Sequence, residues 1–150
     1  MTTLLEVATT IENKIEAFCT SYTAVGWNKD LWTVLYGDQD KLPKRVTICI
    51  EPNVKRNRLK NAARGIEREF EVFILIYYAS VNDGGQFNRK HADAFAEEIE
   101  TLLNSDPQFG GKLIHCYVTE VASGYSNKDG TIVKSSRLTF NGMVNDRLPS

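Results

Sequence analysis

Hydrophobic and polar residues alternate along this chain with two different periods, and the changes of period mark its elements. Near the N-terminus Leu4, Ala8, Ile11, Ile15, Phe18 and Tyr22 recur at helical spacing, widened by Val7 and Cys19, while Glu12, Asn13, Lys14 and Glu16 fall mainly opposite. Thr2 or Thr3 is placed to cap this helix, with Glu6 just beyond. Gly26 closes the region, and Trp27, Leu31, Trp32, Val34, Leu35 and Tyr36 follow as an aromatic-rich segment. Two indoles this close form either a binding platform or the anchors of a loop or short strand; the anchor is the commoner use.

From Pro43 the period becomes two. A turn at Gly37-Asp38-Gln39-Asp40 leads to a strand over 45–50, with Val46, Ile48 and Ile50 on one face and Thr47, Cys49 and Glu51 on the other, and Pro52 reads as its stop. The densest apolar run is 70–79. Phe70, Val72, Ile74, Ile76 and Tyr78 share one face; Phe73, Leu75 and Tyr77 share the other, with Glu71 at the wetter end. A strand apolar on both faces belongs in the middle of a structure, covered twice. Asn82-Asp83-Gly84-Gly85 signals a turn. Asn88 is a candidate cap for a second helix, with Phe87 stapled against Ala92. That helix buries His91 or Ala92, Phe95, Ile99, Leu102 and Leu103, and wets Asp93, Glu97, Glu98 and Glu100. After Ser105-Asp106-Pro107 and Gly110-Gly111 a strand spans 112–121, with Ile114, Cys116 and Val118 opposite Leu113, His115, Tyr117 and Val121. Asn127-Lys128-Asp129-Gly130 is a hairpin turn. The last strand, over 132–144, sets Ser136, Leu138 and Phe140 against Arg137, Thr139 and Asn141. The order helix, strand, strand, helix, strand, strand predicts an α+β fold: an antiparallel or mixed sheet of about four or more strands with two helices on one face.

Composition narrows this little. The 150 residues suit one domain over 1–150. A net charge of −1 disfavours general nucleic-acid or anionic-membrane binding. Cys19, Cys49 and Cys116, odd in number and in apolar contexts, read as buried free thiols in a reducing compartment. With no signal-peptide pattern and no run of ~20 apolar residues, a soluble intracellular protein is expected. Charge is segregated in one place: the connection over 53–68, which holds Lys55, Arg56, Arg58, Lys60, Arg64 and Arg68 against Glu67. Two readings stand for it, a solvated mobile linker or a basic arm that orders against an acidic surface, protein or nucleic acid.

Catalytic constellations are not evident. His115 and Cys116 are strand neighbours, hence on opposite faces. His91 has no local metal partner, and the glutamates of the second helix lie on its wet side. No CxxC, HExxH, Walker-type loop or GxSxG occurs. No enzyme, cofactor or metal is expected.

The second half carries a family resemblance. An apolar strand ending Ile76-Tyr77-Tyr78-Ala79, a helix leading to Leu102-Leu103, the run Val121-Ala122-Ser123-Gly124-Tyr125, a polar hairpin and Ser135-Ser136-Arg137-Leu138-Thr139-Phe140 together resemble the tail terminator proteins of long-tailed bacteriophages. The first helix, the Pro43-led strand and the variable segment before Phe70 fit the same order. The resemblance implies a virion structural protein, assembled in the host cytoplasm and located at the head-proximal end of the tail. It implies a homo-hexameric ring that caps the tail tube, stops its polymerisation and presents a surface to the head connector. Its partners would be other copies of itself, the tail tube protein, the head-completion or connector protein and, in a sheathed tail, the sheath protein; DNA would only pass through the lumen, and no membrane is involved. The family fold is a sheet with helices on one side, the sheets lining the ring. On that basis Phe73, Leu75, Tyr77 and Tyr117 are the candidate subunit interface, unless the segment over 27–36 covers them within one chain. Lys55, Arg56, Arg58, Lys60 and Arg64 are the candidate contact with the tube or another partner. Two other readings are another neck component, a tail-completion or head-closure protein, and a nucleic-acid-binding module using the basic segment.

Overall fold

The computed structural model describes residues 2–60, 65–79 and 89–147. Helix α1 (Leu4–Ser21) begins where expected: the Thr3 side chain accepts a hydrogen bond from the Glu6 amide at 3.1 Å. Strands β1 (Trp32–Tyr36), β2 (Val46–Lys60) and β3 (Gly65–Tyr78) follow, then α2 (Arg89–Asn104), β4 (His115–Lys128) and β5 (Thr131–Arg147). They form one mixed sheet in the order β1-β2-β3-β5-β4, in which only the β1–β2 pair is parallel. The apolar run thus occupies the centre of the sheet, paired on both sides along its length.

Both helices pack on the face that carries Val46, Ile48 and Ile50 of β2, Phe70, Val72, Ile74, Ile76 and Tyr78 of β3, and Leu138 and Phe140 of β5. Val7, Ala8, Ile11, Ile15 and Cys19 of α1 and Ala92, Phe95, Ala96, Ile99 and Leu103 of α2 complete that core. Each Val, Leu, Ile or Phe among them contributes roughly 1.5–3 kcal/mol on full burial. Trp27 and Trp32 are anchors at its edge: the Trp27 ring lies 4.9 Å from Phe95 and from Tyr22, and its Nε1 donates to the Cys19 carbonyl at 3.0 Å. The β4–β5 hairpin turns through Asp129 (φ 52°) and Gly130 (φ 81°), the two left-handed residues that a tight hairpin of this twist requires.

Four expectations about strands are corrected. First, Pro52 does not stop β2. It lies where β1 has already ended, so its missing N–H leaves no ladder bond unmade, and the extra residue Asn53 forms a bulge there. Second, the described parts of the connection expected over 53–68 belong to paired strands, β2 up to Lys60 and β3 from Gly65: Lys55 stands opposite Phe70, Arg56 opposite Glu69 and Arg58 opposite Glu67. Arg56 and Arg58 thereby gain cross-strand carboxylates, a pairing that only the register reveals. Third, Val121 is carried to the helix side, because a bulge at Thr119 shifts the register of β4 by one. Fourth, β4 starts at His115 and not at Lys112, so that Leu113 enters the core with Cys116 and Val118 while Ile114 is exposed; β4 then continues to Lys128, and β5 passes its expected limits at both ends. The proposed turn at Asn82-Asp83-Gly84-Gly85, the Asn88 cap and the Phe87 staple lie outside the described residues.

Candidate functional site

Among the described residues, no helix lies on the second face of the sheet. One end is closed by the crossover that parallel β1 and β2 need. Residues 37–45 pass over the face and set Leu42 against Cys49, Leu75, Tyr77 and Val133. Polar contacts tie this strap down: Asp38 accepts from the Tyr77 hydroxyl and from Lys128 Nζ, each at 2.8 Å. Lys128 also lies 4.2 Å from the centre of the Tyr77 ring, and the Asp129 amide donates to Asp40 at 3.2 Å. Burial, together with the hydrogen bond to Asp38, pushes the Tyr77 hydroxyl far above its ordinary pKa.

Beyond the strap the face is open. Phe73 is half-buried with the Arg137 guanidinium 5.3 Å from its ring, and Arg137 pairs with Glu120 at 3.0 Å. Asn141 donates to the Thr119 hydroxyl at 2.9 Å. Glu69, His115, Tyr117, Thr119, Asn141 and Met143 line a shallow depression of about 200 Å³. Tyr117 is 51% exposed.

The four candidate interface residues are therefore not equivalent. Tyr77 is only 4% exposed and sealed by its own chain, which removes it from any contact with a neighbour. The cover is the strap and not the 27–36 segment, whose Trp27, Leu31, Trp32 and Val34 pack on the helix side. Leu75 lies at the strap's margin, and Phe73 and Tyr117 face out on the open part. Asp38, Leu42 and Lys128 were not foreseen in this role. The turn at Gly37-Asp38 was legible, but its position over Tyr77 depends on the parallel pairing of β1 with β2.

The cationic candidates divide between two faces. The bulge at Asn53 turns Arg56 and Arg58 to the open side with Glu69 and Glu67, while Lys55 shares the helix side with Phe70. Lys55, Arg56 and Arg58 are exposed. Arg68 is buried, 5.7 Å from the centre of the Phe70 ring, and belongs to the core. Lys60 ends β2, and Arg64 lies outside the described residues.

Nucleophilic and metal chemistry find little purchase among the described residues. The three thiols are free and buried, and burial raises Cys19 to about 12 and Cys49 and Cys116 to about 11, so they stay protonated near neutral pH. Cys116 points into the core and its Sγ lies 3.4 Å from the Asp106 carbonyl, whereas His115 is exposed on the other face. Among the described residues no three His, Cys, Asp or Glu side chains are grouped to hold a metal ion, and no helix is long and apolar enough to cross a membrane. The chain matches no family model and no curated protein.

Proposed function

We propose that this protein is a structural component of a bacteriophage tail, a terminator that assembles with copies of itself into a ring, caps the tail tube and offers the head connector its attachment surface. The family resemblance supplies the role. The observation that carries it is the one-sided layering: two helices cover one face of the sheet, and a short strap covers only one end of the other. The uncovered part presents Phe73, Tyr117 and the Arg137–Glu120 pair, a surface of mixed polarity suited to a protein neighbour. The hexameric state, the tube and connector as partners, and the virion location all belong to this reading.

Two measurements test it. Sedimentation equilibrium of the purified chain, alone and mixed with tail tubes, is expected to give a ring, free or formed on the tube end; a monomer under both conditions overturns the proposal. Reversing the charge of Lys55, Arg56, Arg58 and Lys60 is expected to leave the ring mass intact and to abolish capping, seen as tubes of uncontrolled length in electron micrographs. Normal capping by that variant would reduce the projecting part of the β2–β3 pair to a spacer.

A further inference from the structure

The β2–β3 ribbon has an edge that the rest of the sheet leaves unused. β1 accompanies β2 only as far as the Tyr36–Ile50 pair, and from Glu51 onward the outer side of β2 has no strand beside it among the described residues. Such an edge is a template for another strand, and proteins guard it with proline, bulges and charge. β2 has all three: Pro52, the bulge at Asn53, and exposed Lys55, Arg56 and Arg58. The sheet's other long edge, β4, is interrupted by a bulge but carries mainly uncharged side chains, Tyr117, Thr119, Ala122, Gly124 and Ser126 among them. Cations are thus a feature of one edge and not of edges in this protein generally.

A guard of a single sign is selective. It repels the same edge of a second copy, where cation would meet cation, and tolerates a strand of opposite charge. We infer that the outer edge of β2 beyond the bulge, from Val54 to Arg58, receives an extended, carboxylate-bearing segment of another protein, which joins the sheet as an added strand. The register defines what that segment looks like. Arg56 already has Glu69 across from it on β3, and Arg58 has Glu67. A strand added outside β2 places one residue on the far side of each arginine, and acids at alternate positions extend each pair into a three-strand ladder, carboxylate–guanidinium–carboxylate. The main chain supplies affinity and the alternating acids supply choice.

A second copy of the chain fits this edge poorly. On β4 the acidic side chain is Glu120, which Arg137 engages at 3.0 Å, and β2 itself is cationic. Nucleic acid fits poorly as well, because Glu67 and Glu69 would stand beside its phosphates. The inference deepens the reading of the ribbon as a partner contact and does not depend on the ring.

The test uses fluorescence anisotropy of the full chain with three labelled probes: a synthetic peptide of alternating Glu and Val, its Lys-and-Val counterpart, and a single-stranded oligonucleotide. The acidic peptide is expected to bind, to slow amide exchange within residues 54–58, and to bind at least about fivefold more weakly to the Arg56→Glu, Arg58→Glu variant. That variant is expected to prefer the basic peptide. The Arg56→Gln, Arg58→Gln variant, checked for an unchanged circular dichroism spectrum, is expected to lose discrimination between the two. Equal binding of both peptides by the parent chain, binding of the oligonucleotide alone, protection confined to β4, or no binding at all overturns the inference. None of these results alters the ring mass, so failure here is distinct from failure of the proposed function.

Discussion

Gly142 shows how one atom is constrained by packing. It lies on β5 beneath Leu113, and a Cβ built there would approach Leu113 Cδ1 to 2.6 Å. Gly142→Ala is expected to destabilise the fold by about 1–3 kcal/mol, as overpacking does. Urea unfolding measures the loss, and in Leu113→Ala the same alanine should cost less, since its obstacle has gone. The buried thiols make a second prediction at this scale. Burial pushes Cys49 and Cys116 up to about 11 and Cys19 to about 12, so the unfolded chain releases these protons first. Stability is then fully present below about pH 9 and falls as pH rises toward the folded values, because over that interval the native state holds more protons than the unfolded one. Denaturant midpoints across this range should decline, and replacing the three cysteines by alanine should flatten the decline.

At the scale of elements, the strap and the bulges decide what each face presents. Asp38 holds the strap by accepting from both Tyr77 and Lys128. Asp38→Ala is expected to loosen residues 37–45 and expose Cys49 beneath, while Cys19 and Cys116 stay covered by the helices. Thiol labelling at pH 8 read by mass spectrometry should show modification at Cys49 first; equal labelling of all three would mean global unfolding instead. The bulge at Asn53 is the corresponding device on β2. Without it, Arg56 and Arg58 would turn toward the helix side and Lys55 toward the open side, because one residue of slip inverts every side chain beyond it. The Thr3 cap is simpler: Thr3→Ala should cost about 1 kcal/mol, measured by thermal unfolding.

For the whole molecule the governing fact is asymmetry between the two sides of one sheet. Helices bury one side, and among the described residues the other is closed only where the strap crosses it. In the proposed ring this open side meets a neighbour, so Tyr117→Arg is expected to leave the midpoint of unfolding nearly unchanged, the residue being exposed, and to reduce the assembled mass toward that of a monomer. Light scattering reads the mass directly. An unaltered ring would move the interface away from Tyr117.

Period located both helices and the central strand, because burial on one stripe or one face requires those spacings whatever surrounds them, and the turn residues Asn127-Lys128-Asp129-Gly130 located the final hairpin. The opposite faces of His115 and Cys116 and the buried character of the thiols were legible for the same reason. Pairing was not. The acids that stand across from Arg56 and Arg58 are remote along the chain and become neighbours only through the β2–β3 register. Whether Pro52 ends a strand depends on where β1 ends beside it. Tyr77 has the same apolar character as Phe73, and only the crossover between two parallel strands seals one and leaves the other half-open. Local spacing is a property of the chain itself; which residues meet, and which face stays bare, follows from the order and register of strands, which non-local contacts select.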